Sequence, residues 1–172
     1  EPDPVVYLEG GPGSSALKSY INQFGILFGP LVEKRDVILF DQRGTGLSDP
    51  TLNCPLQEQV TEQYLGKPIT LNEILPHAQK IARECRETLL ARGIRLEAYN
   101  STENAADIED LRLALGYEQV NLYRLSYGTR LALTVIRDHP QGLRRVILNS
   151  TFPPSANIYR ESLANTNRAC ET

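Results

Sequence analysis

Asn121-Leu-Tyr-Arg-Leu-Ser-Tyr-Gly128 is the stretch on which the reading of this chain turns. It opens as an apolar strand, reaches Ser126, and passes at once into the helical pattern Thr129 to Asp138. A strand that bends sharply into a helix at a serine lifts the hydroxyl above the sheet edge and aims it at a helix N-terminus. Ser126 is therefore the first candidate for a catalytic nucleophile. Such bends carry Gly two positions before and two positions after the serine, because a side chain there collides with the neighbouring strand or helix. Gly128 keeps the second of these, while Arg124 stands at the first.

Two upstream segments extend the pattern. Val5-Val-Tyr-Leu-Glu-Gly-Gly-Pro-Gly13 is a short buried strand ending in a Gly-rich turn, whose uncovered backbone N–H groups can approach a substrate oxygen closely. Asp36-Val-Ile-Leu-Phe-Asp-Gln-Arg-Gly-Thr-Gly-Leu-Ser48 is a second apolar strand, closing in a turn with an Asp, an Arg and two Gly. Four strands emerge in all: Val5 to Glu9, Val37 to Asp41, Val120 to Leu125 and Arg145 to Asn149. Each is rich in Val, Ile and Leu, as strands covered on both faces are, and helical stretches separate them. The fold class is α/β, with a doubly wound, mostly parallel sheet.

In this order, Glu-Gly-Gly-Pro-Gly, Asp-Gln-Arg-Gly-Thr-Gly-x-Ser and Ser-Tyr-Gly-Thr resemble the α/β-hydrolase fold peptidases related to prolyl aminopeptidase and the secreted tripeptidyl aminopeptidases. The resemblance implies a partial α/β-hydrolase fold, in which the four strands are the third to sixth and lie side by side as second, first, third and fourth. It implies that Ser126 attacks a peptide or ester carbonyl, and that the oxyanion is held by the backbone N–H groups of Gly11 and Tyr127. No cofactor is implied. The family inserts a lid after the last of these strands, so residues 1–152 are expected to be partial core and residues 153–172 the start of a lid. Two positions depart from the family: Arg124 replaces the leading Gly, where a side chain can distort the turn or abolish activity, and Glu9 replaces a His common among prolyl aminopeptidases.

A serine nucleophile needs a His base oriented by a carboxylate, and in this fold both follow the serine. The one His after Ser126 is His139, at the far end of the helix that begins at the bend, about 15 Å away at roughly 1.5 Å per residue. It reads as a cation suiting the helix C-terminus. His77 precedes the serine on a polar helical stretch, and Asn149, at a strand end, carries an amide that cannot stabilise an imidazolium. No complete triad exists, and both outer strands are interior-type sequences left at an edge. The expected partner is thus the remaining part of the hydrolase, on the same or a second chain.

The other segments read as scaffold. Asn72 to Arg92 places Ala78, Ile81, Ala82, Cys85 and Leu89 on one helical stripe, and Ser101 or Thr102 can cap a helix Ala105 to Leu115 with Ile108, Leu111 and Leu115 on one face. Asp107, Glu109 and Asp110 read as a solvated face rather than a metal site, having no partner His. The stretch from Asp49 to Ile69 reads as a loop over the sheet's carboxyl edge. Cys54 and Cys85 can bridge about 30 residues, leaving Cys170 odd. The secreted bacterial members that the chain resembles carry Cys at comparable places, a resemblance that implies an oxidising compartment, secreted or periplasmic, rather than three reduced cytoplasmic thiols.

Net charge is −3 with dispersed basic residues, which gives no footprint for nucleic acid, and Arg144 and Arg145 read as solvated. No apolar run reaches the roughly 18 residues of a membrane span. Two competing readings remain. Gly11 to Ala16 fits G-x-G-x-x-A after a strand, with Asp41 placed as a ribose acid, but Pro12 removes a phosphate-binding N–H and Ser126 is left without a role. The other is a hydrolase-fold module without catalysis, motivated by Arg124 and the missing base.

Overall fold

The computed structural model describes residues 3–56, 66, 70–157 and 161. Four strands, β1 (Val5–Leu8), β2 (Val37–Leu39), β3 (Val120–Leu125) and β4 (Leu143–Asn149), form one sheet in the order β2-β1-β3-β4. Every pairing is parallel. This is the expected order. β4 begins two residues before the expected Arg145, and a register irregularity at Val120/Asn121 accompanies that extension.

Among the described residues the α-helices with defined bounds are α1 (Ala16–Tyr20), α2 (Phe24–Val32), α3 (Leu71–Ala91), α4 (Ser101–Ala114) and α5 (Tyr127–Asp138). On one face, Val6, Leu8, Val120 and Leu122 pack with Ala105 and Ile108 of α4 and Leu131, Ala132 and Val135 of α5. The other face of the same strands carries Tyr7 and Tyr123, which meet Ala16, Tyr20, Phe24 and Phe28 of α1 and α2. Side-chain alternation along β1 thus feeds two cores, as a sheet covered on both sides requires. Burying one large aliphatic side chain in either is worth about 2 kcal/mol.

Several local expectations are corrected. The α4 cap is Asn100, one residue earlier than expected; its side-chain oxygen accepts from Glu103 N at 3.0 Å. An Asn at this position satisfies an otherwise orphaned amide as well as Ser or Thr does. Leu115 lies at the end of α4 and is 49% exposed, so the apolar face stops at Leu111. Asp107 and Glu109 are not simply solvated. Arg43 donates two bonds of 2.6 Å to Asp107, and Arg112 donates bonds of 2.6 and 2.8 Å to Glu109. Arg144 likewise reaches Asp3 at 2.6 Å.

Cys54 and Cys85 form a disulfide with Cα atoms 5.8 Å apart, tying the loop after β2 to α3. Cys170, most of the expected lid and much of the loop before α3 lie outside the described residues. No helix among the described residues is long and apolar enough to cross a membrane.

Candidate active site at the β3–α5 bend

Ser126 is the single residue between β3 and α5, and its backbone sits at φ 52, ψ −123. Positive φ is uncommon for a residue with a Cβ and costs on the order of 1–3 kcal/mol, so surrounding contacts must hold it. They are visible. Ser126 N donates to Asn149 O at 3.2 Å, and Ser126 O accepts from Thr129 N at 2.9 Å and Thr129 Oγ1 at 2.6 Å. Thr129 Oγ1 in turn accepts from Phe152 N at 2.7 Å, so one buried threonine ties the bend to the segment leaving β4. Ser126 itself remains exposed.

The β1–β3 register pairs Leu8 with Arg124 and so carries Gly10 alongside Ser126. A methyl group on Gly10 would lie 3.2 Å from the Ser126 Cβ and 3.7 Å from its Oγ. The serine hydroxyl therefore stands against the Gly-rich turn. Gly11, at φ 113, is exposed next to it, and Tyr127 begins α5, where the first backbone N–H groups of a helix lack intrahelical acceptors. Ser126 thus lies against Gly10, the neighbour of Gly11, and directly before Tyr127, at the carboxyl edge of the sheet, where doubly wound sheets bind ligands.

The bend at Ser126 is formed with Arg124 two residues before it. The parallel register places Arg124 on the same sheet face as Leu8 and Leu122, and its side chain runs into the α4–α5 core with no exposure. Nη1 reaches Leu8 O at 3.4 Å, while Nε and Nη2 find no partner among the described residues. Burial pulls the guanidinium down to about 9, opposed by the nearby Tyr7 and Tyr123 phenols. The cost of Arg124 thus falls on the core, and Ser126 keeps its bend.

The turn after β2 supplies contacts that motif reading had not resolved. Asp41, 7% exposed, accepts from Ser15 Oγ at 2.9 and 2.8 Å, from Leu17 N at 3.2 Å and from Leu47 N at 2.8 Å. A carboxylate so occupied is engaged in joining two loops, which leaves the dinucleotide reading without its ribose acid. Gln42 Nε2 donates to Glu9 O at 3.0 Å, and Glu9 Oε1 accepts from Gly10 N at 2.9 Å. Glu9 Oε2 is buried with no partner among the described residues. Burial above all, with Tyr20 and Glu9 adding to it, raises the Tyr7 phenol far above its ordinary value.

His139 stands apart from this place. His139 caps the far end of α5, its N–H donating to Val135 O at 2.8 Å, and His77 lies on α3. Among the described residues no group of His, Cys, Asp and Glu has the arrangement of a metal site.

Comparison with known proteins agrees with this geometry. The family model described as alpha/beta hydrolase fold matches residues 3–165. A tripeptidyl aminopeptidase of Streptomyces lividans is 30% identical over 155 residues, covering 88% of this chain and 29% of that protein. A proline iminopeptidase of Lactobacillus delbrueckii subsp. bulgaricus is 29% identical over 163 residues, covering 93% of this chain and 39% of the relative. The chain thus spans well under half of the curated relatives it matches. Among solved structures, a proline iminopeptidase-related protein from Thermus thermophilus superposes with a TM-score of 0.51 at 24% identity, over 85% of this chain and 35% of that one. An epoxide hydrolase, CorEH, does so with a TM-score of 0.55 at 19% identity, over 96% and 43%. Sheet order, the serine bend and these matches agree: the chain belongs to the alpha/beta hydrolase fold family.

Proposed function

We propose that this chain carries the nucleophile and oxyanion side of a serine hydrolase of exopeptidase type, aminopeptidase-like, acting on a peptide or ester. The observation that carries this reading is the exposed Ser126, held at φ 52 with its Oγ against the Gly10–Gly11 turn. Ser126 Oγ attacks the acyl carbon while its proton passes to a base. The carbonyl oxygen takes up negative charge facing the N–H groups of Gly11 and Tyr127. As the intermediate collapses, the amine or alcohol leaves with that proton, and water then attacks the acyl-Ser126 ester to release the acid. The names of the peptidase relatives support a peptide substrate.

The base and its orienting acid belong, in this reading, to further polypeptide that pairs with the rest of the sheet. Residues 1–152 are the partial core and residues 153–172 begin a lid over the site. The disulfide supports an oxidising compartment, secreted or periplasmic. A module without catalysis is the second reading, favoured by the place of His139 at the far end of α5 from Ser126. A fluorophosphonate probe separates the two. Ser126 labelling that appears or rises when the carboxy-terminal part is supplied, and vanishes in Ser126→Ala, supports the split site. Absence of labelling in the complete protein supports the inert module.

A further inference from the structure

The Glu9–Gly10 peptide unit is fixed at both of its polar ends. Its carbonyl oxygen accepts from Gln42 Nε2 at 3.0 Å, and its N–H donates to the Glu9 carboxylate at 2.9 Å. Both contacts are buried, and Gln42 is 6% exposed. Gln42 is itself held, because its carbonyl accepts from Thr45 N at 3.0 Å and Thr45 Oγ1 at 2.9 Å. The same Glu9 carbonyl faces α5, since a methyl group on Gly128 would come within 3.0 Å of it. One peptide plane is therefore gripped by a side-chain amide, a carboxylate and the first turn of α5. The next N–H along the chain is that of Gly11. Gly10, through which the two planes are joined, is itself crowded, since a methyl group on it would lie 3.2 Å from Leu125 O and 3.2 Å from the Ser126 Cβ, so the plane carrying the Gly11 N–H starts from a fixed neighbour and a packed Cα.

We infer that Gln42, acting with Glu9, is a positioning residue that aims the Gly11 N–H at the acyl oxygen. This rests on the proposed function above. Gln42 touches no substrate; it acts through the Glu9 carbonyl. A preorganised donor works because it does not have to reorient as charge develops, and an error in its aim weakens the transition state more than the bound substrate. A side chain serving only the fold would give no such selectivity.

The test compares Gln42→Met, which keeps the shape and loses the donor, with Gln42→Glu, which regains a donor only when protonated. In the complete protein with a p-nitrophenyl ester, both variants should lose about tenfold to a hundredfold in kcat at neutral pH with KM little changed. The ratio of Gln42→Glu to the parent should recover as pH falls towards about 5, and that of Gln42→Met should not. In this chain labelled with 15N-glycine, Gly10 amide exchange should quicken about tenfold in Gln42→Met while thermal unfolding still shows a folded protein. Unchanged Gly10 exchange, or kcat within about twofold of the parent in both variants, overturns the inference. If Ser126→Ala keeps its turnover, the functional reading itself fails; if it is inactive while the Gln42 variants are normal, only the positioning role fails.

Discussion

Gly128 lies so close to the carbonyl of Leu8 that a methyl group on its Cα would overlap the oxygen and come within 3.2 Å of the carbonyl carbon. This is the point at which the first turn of α5 passes over the end of β1, and neither backbone can yield without moving the other. Gly128→Ala is therefore expected to lose about 2 kcal/mol of stability or more, through forced separation of β1 and α5. The same separation would pull Ser126 away from Gly10. Chemical denaturation together with fluorophosphonate labelling in the complete protein checks this. A variant with an unchanged midpoint and unchanged labelling would show that the crossing is looser than described.

Arg43 holds the turn after β2 against α4 by two parallel bonds of 2.6 Å to Asp107, and a third of 2.6 Å to Ala98 O. Asp107 holds its cation up, chiefly through that hydrogen bond. A lysine keeps the charge but offers no planar fork, so Arg43→Lys should cost about 1 kcal/mol even though the pair is partly solvated. A double-mutant cycle with Asp107→Asn measures the coupling. Equal losses for Arg43→Lys in the parent and in the Asp107→Asn background would show that the fork contributes nothing.

Much of this architecture was legible in the residues. The runs around Val6, Ile38, Leu122 and Val146 marked four strands covered by helices, and a serine between strand and helix patterns marked the bend. Contacts made across long separations were not legible. Nothing local to Gln42 says that its amide will meet the Glu9 carbonyl, since that depends on β1 and β2 being neighbours. The consequence of Arg124 was not legible for a related reason. Its effect on the bend depends on which sheet face it occupies, and the Leu8–Arg124 register sends it into the core instead of against Ser126. The acidic residues of α4 look solvated in a helical projection, yet Arg43 arrives from another loop to bind Asp107.

Acid should weaken the fold partly through Glu109. Arg112 holds the Glu109 carboxyl below its ordinary range, mainly by hydrogen bonding, against the effect of burial. A depressed carboxylate contributes stability that is fully present above its unfolded value and is lost as pH falls through the folded one. Glu109→Gln removes that dependence. The variant is expected to be less stable than the parent near neutral pH, with the difference shrinking as pH drops below 4.5, the ordinary value. Urea midpoints across that range decide it; a constant difference would mean that the pair is not electrostatically coupled.

The disulfide between Cys54 and Cys85 closes a span of 31 residues. In the chain-entropy account, opening such a loop releases about 3.7 kcal/mol of denatured-state entropy. Cys85→Ser, or reduction under native conditions, should lower the unfolding midpoint by a corresponding amount and leave the sheet intact, because the link joins a loop to α3 and not strand to strand. Far-ultraviolet circular dichroism against temperature checks both parts. Loss of sheet signal at room temperature on reduction would mean that the loop and α3 hold the strands together.

Arg124 allows a prediction of opposite sign. A charge buried with a single 3.4 Å contact to Leu8 O and no acidic partner among the described residues is a standing cost, since desolvation is not repaid by pairing. Arg124→Met fills comparable space with an apolar, flexible chain and should stabilise the fold by about 2–4 kcal/mol near neutral pH. Burial lowers the guanidinium from its ordinary value, yet a guanidinium keeps its proton in proteins, so the folded state bears the cost of the cation throughout and the advantage of Arg124→Met should persist between about pH 5 and about pH 9. Labelling of Ser126 in the complete protein should change little in either Arg124→Met or Arg124→Gly, because the bend is already formed with Arg124 in place. A large rise in labelling without a gain in stability would place the strain of Arg124 at the serine after all.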